Sequence, residues 1–413
     1  MPSARRLLLL LSLALGATVL LAWWTKARCM GGGGWTGGQQ YLSWCYTDIL
    51  PLWYVERLNE GAVPYRDHPV EYPVLIGLQM WLAGQVVRAL VRDQSWWGVA
   101  FYQVNVALGA AAYAAAAYRM FRMGVTPARL LWFIAAPTFV VYAFMNWDAT
   151  AVLLCVAAIE LHRRGRDGWS GVAAGLGAAA KLFPGFLVPL VVVARLLQGR
   201  KGDAARHAGA AAGAWLAVNV PVMVTAFDGW SEFLRLNRTR PADWDSLWYL
   251  AQQVRGTPFD VTVLNLVTAG LFVAGTAIIV LMGRRVHAPQ DYWRLLLPVV
   301  IWFLLTNKVY SPQFSIWLLP LLALALPRAV PFAAFAVADL FVFVLRFPFL
   351  GGRQGLTPAP DYDLFAIAIV VRAVVLVWIM VETLTLTPPE LRARPSPWRS
   401  DDAAAPASAR AGV

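Results

Sequence analysis

Three carboxylates, Asp48, Asp67 and Glu71, stand among aromatics and prolines in one stretch, residues 44–81 (WCYTDILPLWYVERLNEGAVPYRDHPVEYPVLIGLQMW), just after the first apolar segment. An ionised carboxylate in hydrocarbon is expensive and usually functional. Three beside one membrane boundary point to an acid or base working at the water–lipid edge. Thr47 reads as the N-cap of a short helix over residues 48–59, closed by Gly61. Asp48 in its first turn suits the helix dipole. Its chemical alternative is a general base, which must come within hydrogen-bond reach of the proton it removes. Asp67 and Glu71 are separated by Pro69, which breaks any helix between them. They either bind hydroxyl groups or pair with arginines such as Arg57 and Arg66.

Further polar groups interrupt apolar runs. Asn146-Trp147-Asp148 is either a polar turn with Asp148 capping the next helix, or a hydroxyl-binding group with Trp147 offering an apolar ring to a sugar face. Lys181, in GLGAAAKLFPGF, either snorkels to the interface or neutralises a phosphate. In TNKVYSPQF (residues 306–314), Pro312 suits the start of a helix. Lys308 and Gln313 then sit at a helix N-terminus, a setting that favours anions. Arg235, Arg238 and Arg240 crowd a single loop, where they pair with Asp243 and Asp245 or hold an anionic headgroup through bidentate contacts.

The elements that must position these groups are membrane helices. Of 413 residues, 59% are hydrophobic and only 14% charged, against roughly a quarter charged in soluble domains. Apolar runs long enough for about 30 Å of hydrocarbon recur along the chain. Only helices or closed barrels satisfy every backbone group there, so the expected class is an all-α polytopic membrane protein. Twenty tryptophans suit interfacial belts. The net charge of +12 does not signal nucleic acid, because the arginines lie in short loops between apolar runs and form no single basic face. Placing those loops inside gives about twelve spans with both termini inside, provided residues 71–91 do not cross. Asp48, Asp67, Glu71, residues 146–148, Lys181, the arginine loop and residues 306–313 then share the outer side. Residues 1–385 form one transmembrane domain, with a first extracytoplasmic loop at about 25–97 bearing juxtamembrane helices. Residues 386–413 read as a disordered cytoplasmic tail. Cys29 and Cys45 share the first loop and can pair if it is outside the cell; Cys155 falls mid-span. A transporter or flippase for a lipid-linked sugar would also be polytopic, but it would want ionisable groups near the midplane and paired broken helices in two halves.

Taken together, YTDILPLWYVERL, PYRDHPVEYPVL, NWD, GLGAAAKLFP and NKVYSPQF resemble the polytopic mannosyltransferases of glycosyltransferase family 87, in the lipid-phosphate-sugar-dependent superfamily with the C-type membrane glycosyltransferase fold. The resemblance implies a polyprenyl-phosphate-mannose donor, a glycolipid or cell-envelope glycan acceptor, and inverting transfer on the extracytoplasmic face of the cell membrane. It places the catalytic acid/base of the first loop on Asp48. Lys181, Lys308, Arg238 and Arg240 would hold the donor phosphate. Asp67, Glu71, Asn146, Trp147, Asp148, Tyr310 and Gln313 would meet sugar or acceptor. No cofactor is implied and no metal expected, since cationic side chains can serve the leaving group.

Overall fold

The computed structural model describes residues 4–31, 35 and 37–391. The C-terminal tail from residue 392, with Arg392 and Arg394, and most of the glycine-rich link at 32–36 lie outside the described residues. All named elements are helical, and the only strand-like pairing among the described residues is an isolated bridge between Pro64 and His68. Six helices are long and apolar enough to cross a membrane by length and composition: Arg5–Ala27, Gln94–Arg122, Lys201–Thr225, Val261–Gly283, Ala329–Gly352 and Tyr362–Thr385. The other expected crossings fall on shorter helices, among them Asp148–Arg163, Asp167–Ala180, Leu296–Thr306 and Ser315–Ala325. This is an all-α, multi-pass membrane protein, and the expected count of twelve depends on those shorter helices crossing as well.

Several short helices sit at the centre. Ser315–Ala325 is buried along its whole length, and the start of Asp148–Arg163 is buried beside it, with the Trp317 indole donating to Asp148 Oδ1 at 2.7 Å. The loops that begin these helices, 146–148 and 312–314, are thereby drawn to the bundle axis. At the opposite end, arginines close helix C-termini, where free carbonyls and the dipole favour cations. Arg129 donates to the carbonyls of Leu322, Ala323 and Leu326, and Arg294 to Leu324 and Pro389. The loops assigned inside by charge gather at this end.

The first loop is built differently from the expectation at one point. The helix runs only Ile49–Val55, and Thr47 Oγ1 accepts from Ile49 N while donating to the Phe144 carbonyl at 2.9 Å. Arg57, with φ 52°, breaks the run, and a separate 3-10 turn, Leu58–Glu60, ends at Gly61 with φ 86°. The Val74–Leu90 helix packs against Trp97–Arg122, Asp167–Ala180 and Lys201–Thr225. Near its start, Gly77 leaves room for the Tyr65 hydroxyl, and near its end Arg88 fills the space at Gly61. Both ends therefore also touch the first loop. Cys29 and Cys45 are disulfide-bonded, and Cys155 is free and buried.

Candidate active site

Asp48 is fixed first through its backbone. Its N–H donates to the Met145 carbonyl at 2.8 Å, and the neighbouring Thr47 hydroxyl grips the same turn. The first loop is thus pinned to the start of Asp148–Arg163. The Asp48 carboxylate then receives Tyr46 OH on Oδ1 at 2.8 Å, Asn146 Nδ2 on Oδ2 at 2.7 Å, and Gln313 Nε2 on Oδ2 at 3.4 Å. It opens on a cavity of about 660 Å³ that Glu71, Tyr72, Lys181, Arg240, Gln313, Trp317 and Arg346 also line. That volume suits a small-molecule site. One wall is apolar, with Leu182, Phe303 and Phe314, and the Phe227–Thr239 helix covers the cavity with Phe233 and Leu236. This cover lies hard against the first loop, since a Cβ at Gly229 would collide with the Tyr65 carbonyl oxygen.

The expected site residues separate into those the cavity gathers and those it does not. Asn146 is buried just behind the wall: its Nδ2 also donates to Tyr72 OH at 2.6 Å, and its Oδ1 accepts from Lys181 Nζ at 3.2 Å. Lys181 lies 3.7 Å from Asp148 Oδ1 and 4.7 Å from the centroid of the Tyr72 ring. Asp148 is buried outside the cavity lining, as the counter-charge of Lys181. Trp147 is 2% exposed, its indole N–H donating to Asn105 Oδ1 at 2.7 Å and its ring set edge-on to Tyr72, so no free face meets the cavity. Tyr310 also turns away, its hydroxyl 3.1 Å from Ser315 Oγ and its ring under the Arg372 guanidinium at 3.7 Å. Asp67 lies on the loop surface, paired with Arg66 at 2.8 Å; that bond, with one from Val63 N–H, holds its carboxyl at about 2. Arg238 is exposed and does not line the cavity.

Lys308 is 5% exposed, and its ammonium has no hydrogen-bond partner among the described residues. Burial, and then the Arg240 guanidinium, lower its pKa. Its chain neighbours Asn307 and Val309 line the cavity. A buried charge without a partner is costly, but Lys308 itself is not among the residues that line the cavity. Arg240, by contrast, pairs with Asp243 at 3.0 Å. Burial and then the Asp48 carboxylate raise Glu71 above the usual carboxylate range, with Arg240 and Lys181 opposing.

Arg346, which follows a long apolar run, is a cavity residue that sequence reasoning did not single out. It sits in Ala329–Gly352, lines the cavity near Tyr46, and lies 2.7 Å from Asp245 Oδ1, close enough for an ion pair though not aligned as a hydrogen bond. Behind it a buried chain continues: Asp245 to Arg372 at 3.8 Å, Arg372 to Asp339 at 3.5 Å, and Asp339 to Ser315 and Thr138. An ionisable residue within an apolar run is the signal that would have flagged it.

Chemically, the arrangement offers two carboxylates, Asp48 and Glu71, on a cavity that Lys181, Arg240 and Arg346 also line. Among the described residues no group of three or more His, Cys, Asp and Glu side chains is arranged to hold a metal ion.

Residues 86–312, more than half the chain, match the family model of glycosyltransferase family 87. The matched segment holds Asn146, Lys181, Arg240 and Lys308, and begins after Asp48. Among solved structures, the chain is similar to ArnT from Cupriavidus metallidurans bound to undecaprenyl phosphate, at 16% identity and a TM-score of 0.45, covering 90% of this chain and 76% of that one. It is also similar to the archaeal oligosaccharyltransferase AglB from Archaeoglobus fulgidus in complex with an inhibitory peptide and a dolichol-phosphate, at 11% identity and a TM-score of 0.42, covering 92% of this chain and 56% of that one. No curated protein matches the sequence.

Proposed function

The chain belongs to glycosyltransferase family 87 and is a membrane glycosyltransferase, and from that premise we propose that it moves mannose from a polyprenyl-phosphate donor to a lipid-linked or cell-envelope glycan acceptor, with Asp48 as general base. The observation that carries this reading is the Asp48 carboxylate opening on the same cavity as Lys181 and Arg240. The acceptor hydroxyl attacks the anomeric carbon from the face opposite the lipid phosphate. The new C–O bond forms as the sugar–phosphate bond breaks, its electron pair goes to the phosphate oxygen, and the hydroxyl proton goes to Asp48. The anomeric configuration inverts.

The phosphate gains charge as it leaves, and preorganised cations in a water-poor site oppose that charge strongly. Arg240, already paired with Asp243, faces it from the cavity wall, and Lys308, between the lining residues Asn307 and Val309, supplies an unpaired charge. Lys181 already has Asp148 and Asn146, so it adds field rather than a free charge. The apolar wall of Leu182, Phe303 and Phe314 suits the first isoprene units. Glu71 and Gln313 line the cavity where sugar hydroxyls would lie. The disulfide supports an extracytoplasmic site, since such bonds persist in oxidising compartments; so do the arginines gathered at the opposite end of the bundle.

The test is transfer by the purified protein in lipid nanodiscs. Labelled polyprenyl-phosphate mannose is expected to yield an inverted glycoside on a glycolipid acceptor, with GDP-mannose inert and the rate unchanged by EDTA. Transfer only from a nucleotide sugar, or movement of labelled donor across proteoliposomes with no new glycosidic bond, would overturn the reading.

A further inference from the structure

Asn146 makes four polar contacts with one carboxamide, and together they determine which way round it sits. Its oxygen side meets two donors, Lys181 Nζ at 3.2 Å and Trp147 N–H at 2.7 Å. Its nitrogen side meets two oxygens, Asp48 Oδ2 at 2.7 Å and Tyr72 OH at 2.6 Å. Turning the amide over would set its carbonyl against the Asp48 carboxylate and its NH2 against an ammonium, two repulsive contacts in place of two bonds. Asn146 is only 3% exposed, so water cannot substitute for these partners.

An ionised carboxylate has about four acceptor positions, two on each oxygen. Here Oδ2 holds Asn146 and the long bond from Gln313, while Oδ1 holds only Tyr46 OH. One acceptor position is left, and it is on Oδ1. We infer that Asn146 is a positioning residue for the transfer reaction: its amide, oriented by Lys181 and the Trp147 N–H, occupies Asp48 Oδ2 and leaves Oδ1 as the atom that takes the acceptor's proton. This rests on the reading of Asp48 as general base. It gives Asn146 a role other than contact with the sugar, and it ties the base to Lys181 through a single side chain.

Charged and titratable groups facing Asp48 come from several elements. They are Tyr46 on its own loop, Glu71 and Tyr72 further along the first loop, Asp148 and Lys181 from the helices behind, Arg240 across the cavity, and Arg346 beyond Tyr46. Asn146→Asp keeps the shape but sets a second carboxylate 2.7 Å from Asp48 Oδ2, so the base holds its proton more tightly. Turnover is expected to fall at least about 100-fold, as for loss of general-base catalysis, with the donor KM little changed. The acid limb of the pH–rate profile should move to higher pH. Asn146→Ser, which retains a donor, is expected to recover part of the turnover and to return the acid limb toward wild type. Thermal unfolding in detergent checks that each variant is folded.

If Asn146 instead contacts sugar, its variants will raise the donor or acceptor KM and leave the pH limb in place; that result would overturn the inference. Asp48→Asn run in parallel separates the two claims. An active Asp48→Asn protein defeats the base assignment itself, whereas an inactive one beside an Asn146→Asp protein with an unmoved limb defeats only the role given to Asn146.

Discussion

Lys308 carries a buried charge that no ion pair or hydrogen bond among the described residues neutralises. Lys181 differs, since Asp148 lies 3.7 Å away. Opposite outcomes on removal follow from this contrast. Lys308→Met takes away an uncompensated charge, so folding stability should hold or rise, by up to about 4 kcal/mol as when buried ionic groups are replaced by apolar ones, while turnover falls by about 10²–10³. Asp148→Ala leaves Lys181 stranded and should cost about 3–5 kcal/mol of stability. Thermal melts and single-turnover rates on both variants check the pair; a destabilised Lys308→Met would mean that the ammonium has a partner in the free protein. At this scale the sequence singled out Asp48, Lys181 and Arg240, which line one cavity, because charged groups beside apolar runs are conspicuous; it missed Arg346 and included Arg238, which lies off the cavity. It could not say which way a ring or an amide turns. Trp147 and Tyr310 sit in the right loops but face the core, a matter of side-chain direction that spacing does not encode.

The first loop behaves as a plate clamped between the bundle and the Phe227–Thr239 cover, and Glu56 is its buried acid. Its carboxyl is 3% exposed and lies 3.7 Å from His68 Nε2. Burial, and then the Glu71 carboxylate, push it from 4.5 to about 7. Below about pH 4.5 it is protonated in both folded and unfolded chains and contributes no pH dependence. Between 4.5 and 7 the unfolded chain releases the proton while the folded one keeps it, so stability falls as pH rises, and above 7 the full cost is present, no more than about 3 kcal/mol. Glu56→Gln should therefore melt above wild type at about pH 8 and alike at about pH 4, in melts taken across that range; an equal offset at both ends would exclude titration as the cause. The helix within this plate was legible only in outline. Thr47 looked like the cap of a longer helix, but its hydroxyl is also bound to the 144–145 carbonyls, a long-range contact, and Arg57 breaks the run in the left-handed region.

The whole molecule is polarised, with arginine-closed helix ends at one face and the Asp48 cavity at the other. Charge bias in short loops points to this arrangement from the sequence alone, since it reflects how the chain is inserted rather than how it packs. The buried chain from Arg346 to Asp339 was not readable, because it is assembled from a loop and several helices distant in sequence. If residues 71–91 do not cross, Arg92→Cys should react with a membrane-impermeant maleimide in intact cells. Trp169→Cys, 65% exposed at the other end, should react only after permeabilisation. Protection of position 92 in intact cells would contradict the non-crossing placement.

The claim on which all three scales converge is that Asp48 removes the acceptor's proton within a cavity that holds the donor phosphate. Single-turnover transfer from polyprenyl-phosphate mannose by Asp48→Asn protein, measured beside equilibrium binding of the same donor, tests it most directly. The account predicts donor binding within a few fold of wild type and transfer reduced by at least about 10². Transfer at the wild-type rate from a folded Asp48→Asn protein would contradict it.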